Sequence, residues 1–248
     1  EIGLNIVGVY DTCVKNGDIY SGDEQLFPRD FTINRYKWGK LKHELSGLGN
    51  KNYNQQERFE QYINKFEQMK NLHSSEFLMP KYMLATVQTK FGLLADYLGV
   101  PFVAKGLESS QGEEVCLINS QQDINLMAQR YGENKEVLFE EFINTSFGQD
   151  MRFYSIRGNI IAGMIRKSAG DFRANVALGA QVEAFEATSE IQGIARDIYE
   201  QTQLDFLGID LLFGKEKSCF CLFYVLLCIV GFVLSMMVIV VSIIIFTF

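Results

Sequence analysis

The first part of the chain alternates short apolar runs with stretches in which apolar residues recur every three to four positions. Apolar runs of this length predict strands at residues 3–10 and 30–34. Helical spacing predicts helices at residues 35–48 and 57–72. The pattern indicates a small, partial α/β domain over residues 1–75.

The middle of the chain predicts the order helix, strand, loop, strand, helix. These elements are expected at residues 86–98, 101–105, 106–114, 115–118 and 120–132. Gly99 is expected to end the first helix in a left-handed conformation. Ser120 and Asp123 form a capping box at the start of the last helix, which should end at Gly132.

The last part of the chain adds strands and one more helix. Strands are expected at residues 136–143, 151–156, 160–167 and 207–213, and a helix is expected at residues 189–201. Arg157-Gly158-Asn159 predicts a tight turn, so the second and third of these strands should form an antiparallel hairpin. Together these patterns predict an α+β fold.

Composition narrows the kind of protein and of partner. The chain has 248 residues, of which 48% are hydrophobic, so it has room for one large domain or two modest ones. A formal net charge of -7 argues against a nucleic-acid partner. Cys13 and Cys116 lack paired spacing, which favours a reduced cytosolic protein, and no zinc pattern is present. Because the first residue is Glu1, the start of the natural protein is expected to be missing.

The stretch at residues 100–115 is the first candidate for chemistry. Its apolar run ends on Lys105 and leads into a loop of Gly and Ser residues. Such a loop leaves backbone N–H groups open to an anion, and a lysine at the strand end adds a mobile charge. The pattern favours phosphate binding, although Gly-Ser turns of this kind often bind nothing.

Charged residues on the predicted hairpin form a second candidate. Arg152 and Arg166 lie on its two strands, and Arg173 and Asn175 lie in the loop that follows. Guanidinium groups gathered on one sheet face hold phosphates and carboxylates through planar forks. A solvated, charged hairpin is the alternative.

Asp210 stands in the middle of an apolar predicted strand. A carboxylate in that position is costly unless it is paired or bound to a metal ion. The alternative is a solvent-facing residue on an amphipathic strand.

The order of these elements resembles the ATP-grasp superfamily, and within it the RimK-type α-L-glutamate ligases and related carboxylate–amine ligases. The resemblance covers residues 30–213. It implies an ATP-grasp fold of two α+β subdomains at residues 76–218, following the partial α/β domain. It also implies that ATP phosphorylates a substrate carboxylate and that an amine such as glutamate then attacks the acyl phosphate.

The resemblance assigns roles to residues of this sequence. The resemblance implies that the following residues bind the nucleotide: Lys65, Lys105, the loop residues Ser109, Ser110, Gln111 and Gly112, and the linker residues Glu140, Glu141, Phe142 and Ile143. Those implied for the γ-phosphoryl group and the acyl phosphate are Arg152, Arg166, Arg173 and Asn175. Asp210 is implied as a ligand of Mg²⁺, with Mn²⁺ as an alternative ion.

After Asp210 the sequence departs from that family, because the expected Glu-x-Asn strand is absent. Residues 219–248 instead form an uninterrupted apolar run without a charged residue. One interpretation is a helix-like membrane anchor, with Lys215 and Lys217 keeping the globular part in the cytoplasm as a tethered, non-catalytic ATP-binding module. The other, which we favour, is a disrupted gene that leaves an impaired cytoplasmic ligase, because the run starts where the metal-binding strand belongs.

Overall fold

A computed structural model of the chain describes residues 12–33, 40–73, 77–109, 114–214 and 219–224. Within those residues the strands are β1 (Thr12–Lys15), β2 (Asp18–Ser21), β3 (Glu24–Gln25), β4 (Arg29–Ile33), β5 (Gly49–Tyr53), β6 (Tyr82–Thr86), β7 (Phe102–Gly106), β8 (Val115–Ile118), β9 (Glu136–Glu141), β10 (Gln149–Ile156), β11 (Asn159–Lys167), β12 (Gln181–Ala184), β13 (Phe206–Phe213) and β14 (Cys219–Tyr224). The helices are α1 (Lys40–Ser46), α2 (Gln56–Gln61), α3 (Lys65–Asn71), α4 (Phe91–Leu98), α5 (Gln121–Tyr131) and α6 (Ser189–Thr202).

The N-terminal part contains strands that the sequence patterns missed. The predicted strand at residues 3–10 lies outside the described residues, whereas β1, β2 and β3 form an antiparallel sheet in a stretch for which no element was predicted. Asn16 and Gly17 both have positive φ, 55° and 92°, which suits the tight turn between β1 and β2. β4 pairs with β5 in parallel.

The helix predicted at residues 57–72 is wrong as one element, because the structure divides it into α2 and α3. The side-chain oxygen of Asn64 accepts the backbone N–H of Phe66 at 2.9 Å and that of Glu67 at 3.4 Å. An asparagine that caps its own downstream residues starts a new helix instead of continuing an old one. The new start places Lys65 in the first turn of α3.

The first large sheet has the order β6-β9-β7-β8, and its strand pairs are all antiparallel. α4 and α5 pack on it through a core that includes the fully buried Leu94, Phe102 and Ile124. The capping box before α5 is confirmed, since the Asp123 carboxylate accepts the Ser120 backbone N–H at 3.0 Å. The helix predicted from residue 86 begins later, at Phe91, because residues 82–86 pair with β9.

The second large sheet has the order β12-β11-β10-β13-β14. The predicted hairpin is confirmed as β10 and β11, and β10 also pairs antiparallel with β13. α6 covers this sheet, with Ile194 and Ile198 fully buried against Phe153. The same core takes in Phe59 from α2, so the helices before the first sheet pack against the second.

The apolar run after residue 218 begins as a strand, which corrects the predicted helix-like tail at residues 219–224. β14 pairs antiparallel with β13, with Cys219 opposite Phe213 and Tyr224 opposite Gly208. Pairing there gives the backbone groups of β13 hydrogen-bond partners, which buried strands require. None of the helices in the described residues is long and apolar enough to cross a membrane, and residues 225–248 lie outside that description.

Candidate functional site

The ammonium group of Lys65 is buried in the loop that follows β7. Lys65 is 5% exposed, and its Nζ donates to the carbonyl oxygens of Gly106 and Ser109, each at 2.6 Å, and to the Ser109 hydroxyl at 3.3 Å. Its backbone N–H donates to the carbonyl of Leu107 at 2.9 Å. α3 therefore delivers a lysine to the loop next to Lys105, although the two lysines are far apart in the sequence.

Lys105 lies inside the first sheet and forms an ion pair with Glu140. β7 and β9 place Val103 opposite Glu140, so Lys105 is the diagonal neighbour of the glutamate on the same sheet face. The two residues are 5% and 3% exposed. A buried ammonium and carboxylate must stay paired, because removing either one leaves an uncompensated charge.

The predicted nucleotide linker connects the first sheet to the second. The Glu141 carboxylate accepts the backbone N–H of Lys81 at 3.2 Å, which fixes the end of β9. The Phe142 ring lies edge-on to the Phe172 ring, with centroids 6.2 Å apart. Ile143 is buried. The linker thus touches the loop after β11, where Arg173 is located.

Four charged side chains on the second sheet form one connected set, which we call the arginine–aspartate network. Arg152 makes a bidentate pair with Asp210, in which Nε donates to Oδ1 at 2.6 Å and Nη2 donates to Oδ2. Arg166 makes a bidentate pair with Asp150, at 2.6 and 2.5 Å. Nη2 of Arg166 also lies 3.2 Å from Oδ1 of Asp210, which joins the two pairs.

Strand register explains why these four side chains meet. Arg152 is directly opposite Asp210 in the β10–β13 pairing, and Asp150 is directly opposite Arg166 in the β10–β11 pairing. Alternate residues of a strand point to the same face, so Asp150 and Arg152 share a face. The solvated hairpin and the solvent-facing Asp210, both left open by the sequence, are excluded, since Arg166 and Asp210 are 3% and 4% exposed.

Burial and charge act on the two aspartates in opposite directions. Burial raises the pKa of Asp150 to about 6, although Arg166 donates to it. Burial would also raise the pKa of Asp210, but the charges of Arg152 and Arg166 outweigh that effect and lower it. Asp210 is therefore held as a carboxylate by two guanidinium groups.

Arg173 stands apart from the network, in the loop after β11. It makes a bidentate pair with Asp171, at 3.0 and 2.7 Å, and the hydrogen bond lowers the pKa of that carboxyl. Gly148 fixes the loop by donating its N–H to the Phe172 carbonyl at 3.0 Å, with a φ of +65° that suits glycine. Asn175 lies two residues after Arg173 and directly precedes a short 3-10 helix.

The structure places the predicted residues in separate groups, with Lys65 at Ser109, Lys105 paired with Glu140, and Arg152, Arg166 and Asp210 in the arginine–aspartate network. Ser109 contacts Lys65, while Ser110, Gln111 and Gly112 lie outside the described residues. Asp150 was missed as a site residue. Its position two residues before Arg152 on an alternating strand is a signal that could have found it.

The donor set around Asp210 does not suit a divalent cation. Both of its oxygens accept from guanidinium groups. Among the residues that the structure describes, no three His, Cys, Asp or Glu side chains come together as a metal site. The sequence of β14, Cys-Phe-Cys-Leu-Phe-Tyr, offers no carboxylate or amide. A metal role for Asp210 stays a prediction that these contacts do not favour.

Most of the described part of the chain matches a known protein family. The model of the RimK-like ATP-grasp domain matches residues 63–224. A probable α-L-glutamate ligase of Thioalkalivibrio sulfidiphilus is 31% identical over 122 residues, which cover 48% of this chain and 40% of the relative. One of Methanococcoides burtonii is 32% identical over 116 residues, which cover 46% and 38%. The matched region spans about two fifths of the length of these relatives.

Solved structures show the fold. The ATP-grasp ligase PsnB complexed with a minimal precursor matches with a TM-score of 0.61 at 17% identity, covering 89% of this chain and 79% of that one. D-alanine–D-alanine ligase of Bacillus anthracis complexed with ATP matches with a TM-score of 0.62 at 17% identity, covering 79% and 68%. The predicted ATP-grasp fold is thereby confirmed. Because the family match covers more than half of the chain, from residue 63 to the end of β14, this protein belongs to the RimK-like ATP-grasp family.

Proposed function

We propose that this chain is the ATP-binding part of a ligase that joins a carboxylate to an amine, with glutamate as the amine. ATP transfers its γ-phosphoryl group to the carboxylate, which gives an acyl phosphate and ADP. The amine then attacks the acyl carbon, forms an amide and releases phosphate. Family membership supports the reaction class, and relatives named probable α-L-glutamate ligases support the choice of glutamate.

The observation that carries the ATP-binding step is the meeting of Lys65 with the loop after Lys105. The Lys65 ammonium is held on the oxygens of Gly106 and Ser109. A lysine ammonium is a mobile point charge that can exchange such oxygens for those of a phosphate. The oxygens of an incoming triphosphate would therefore replace the loop oxygens as acceptors of the Lys65 ammonium.

The linker supplies the remaining contacts for the nucleotide. Glu140 is already committed to Lys105 and holds that lysine in place. The Phe142 ring and the buried Ile143 offer an apolar wall for the adenine ring. The backbone and carboxylate of Glu141 are the groups we assign to adenine and ribose.

The arginines are assigned to the transferring group. A guanidinium has five N–H donors, so an arginine that gives two to an aspartate can also donate to a phosphate oxygen. Arg152, Arg166 and Arg173 would spread over the γ-phosphoryl group, and the Asn175 amide would orient the acyl phosphate. Catalysis of this kind consists of positioning and charge stabilisation.

We further propose that phosphoryl transfer by this chain is slow. The arginine–aspartate network is neutral overall, with two positive and two negative groups. By sequence, β14 adds no carboxylate or amide in place of the Glu-x-Asn strand. Loss of one electrostatic element commonly lowers a catalysed rate by a factor on the order of 10² to 10³. An ATP-binding chain with little turnover is the expected result.

The test is ADP formation from ATP, with pairs of carboxylates and amines that include glutamate. We expect ADP only with an acceptor pair present, at a rate about 10²-fold or more below that of a full-length relative. Replacing the chain from Cys219 onward with a relative's Glu-x-Asn strand should raise the rate. The same chimera with that glutamate changed to leucine is the control and should stay slow. ADP formation by the unmodified chain at the relative's rate would contradict the proposal of slow transfer, and failure to bind ATP would contradict the whole function.

A further inference from the structure

Both carboxylate oxygens of Asp210 contact guanidinium groups. Oδ1 accepts from Nε of Arg152 at 2.6 Å and lies 3.2 Å from Nη2 of Arg166, and Oδ2 accepts from Nη2 of Arg152. The residue is 4% exposed. Arg152 is directly opposite Asp210 on the adjacent strand, whereas Arg166 reaches Asp210 from β11, across the intervening strand β10. The register of the three strands therefore places both arginines at this carboxylate.

We infer that Asp210 and Asp150 are positioning residues that hold Arg152 and Arg166, and that Asp210 is not the ligand of a divalent cation in this chain. Nucleotide binding should accordingly be independent of a cation held by the protein. The statement about nucleotide rests on the proposed function, whereas the statement about the ion pairs does not.

Coordination chemistry argues against a cation on Asp210. Mg²⁺ requires near-octahedral oxygen ligands at about 2.0–2.1 Å. An ion at that distance would compete with Arg152 and Arg166 for the same two oxygens. Displacing the guanidinium groups would leave the buried charge of Arg152 without its partner beside the ion, while Arg166 kept only Asp150, and uncompensated buried charge is strongly unfavourable.

Among the residues that the structure describes, the strands beside β13 do not supply a second ligand. Asp150, the other carboxylate in the network, is bidentate to Arg166. β14 lies next to β13, with Leu222 in register opposite Asp210, and its sequence contains no oxygen-bearing acid or amide. Two complete Arg–Asp pairs therefore account for all four charges of the network.

Thermal unfolding of four variants tests the ion pairs. Arg152→Met and Asp210→Leu should each lower the melting temperature by about 10 °C, because each leaves the buried network with one unbalanced charge. The double variant should lose less than either single variant, since Arg166 and Asp150 remain a neutral pair. Lys167→Met and Glu183→Leu, alone and combined, form the control at an exposed pair and should shift the melting temperature by about 2 °C or less.

A cation site without a positioning role predicts the opposite pattern. Measured in EDTA, Asp210→Leu would then leave the melting temperature unchanged or raise it, and the double variant would show the sum of the single effects. That result would overturn the assignment. If the single variants fail to fold and the double variant folds, the assignment is supported, because only removal of the complete pair preserves neutrality.

Binding of ADP to the unmodified chain tests the second statement. Its dissociation constant, measured by calorimetry, should agree within about twofold in EDTA and in excess Mg²⁺, since about 0.4 kcal/mol separates constants that differ twofold. Tightening by tenfold or more with Mg²⁺ would overturn it. ADP that binds in neither condition would contradict the proposed function, while the melting data decide the role of Asp210 by themselves.

Discussion

The two large sheets bury their charges in different ways. In the first sheet Lys105 forms an ion pair with Glu140, and Lys65 reaches the loop after β7 from helix α3, outside the sheet. In the second sheet two arginines and two aspartates form bidentate pairs across adjacent strands. An ammonium on a flexible stem can exchange partners, whereas a guanidinium fork is fixed in plane and direction. The loop after β7, which holds Lys65, is therefore suited to take up phosphate charge, and the second sheet is suited to hold a preset arrangement.

The largest effect is expected from Arg166→Met. Arg166 contacts both Asp150 and Asp210, so its loss leaves two buried carboxylates with one remaining guanidinium. We expect the free energy of unfolding to fall by about 5 kcal/mol, the upper end for breaking a buried ion pair. Urea unfolding measures it. Lys167→Met, at the exposed next position, should change stability by about 0.5 kcal/mol or less.

A smaller decrease in the free energy of unfolding is expected from Lys105→Met in the first sheet. The buried carboxylate of Glu140 loses its partner, and we expect the free energy of unfolding to fall by about 3 kcal/mol. Adding Glu140→Leu should recover much of it, because the pair is then removed as a whole. If Lys105→Met lowered the free energy of unfolding as much as Arg166→Met does, the expected difference between the two sheets would be contradicted.

The smallest effect concerns the pH dependence of stability. Burial raises the pKa of Asp150 to about 6 in the folded chain, whereas an unfolded aspartate titrates near pH 4. The folded state thus binds this proton more tightly, so the free energy of unfolding should rise as pH falls from 7 to about 4, and fall as pH rises through 6. The lowered pKa of Asp210 acts only below this window.

The expected gain from protonation of Asp150 is about 2 kcal/mol. Urea unfolding at pH 4.5 and pH 7 measures it, with Asp150→Asn as the reference that lacks the titrating group. If the wild type and Asp150→Asn show the same change in stability between these pH values, burial does not control this carboxyl.

Local patterns were sufficient for most of the fold. The buried strand ending at Lys105, the capped helix α5, the β10–β11 hairpin and the strand carrying Asp210 each follow from spacing, caps or turns within a few residues. β6 was missed, because a half-buried strand of mixed residues depends on pairing with β9, which lies far along the chain. The divided helix was missed because Asn64 can be read as an interior residue or as a cap.

The chemistry of the site was less accessible to the sequence than its location. Composition and spacing identified the arginines and Asp210, but the partners of each depend on the register of three strands. That register makes Asp210 the counter-ion of two arginines, while its role as a metal ligand stays a prediction. The strand conformation of residues 219–224 was also missed. An apolar run of this kind is compatible with a helix or a strand, and here pairing with β13 gives a strand.

Equilibrium binding of ATP to the intact chain tests the account most directly. We expect binding by the wild type and a loss of affinity of about tenfold or more in Lys65→Ala, because a charge-assisted hydrogen bond contributes about 1.5–3 kcal/mol. Lys70→Ala is the matched control, since Lys70 lies exposed on the same helix α3. The account predicts that Lys70→Ala binds ATP as the wild type does. Equal affinity in the wild type, Lys65→Ala and Lys70→Ala would contradict a nucleotide site at the loop after β7.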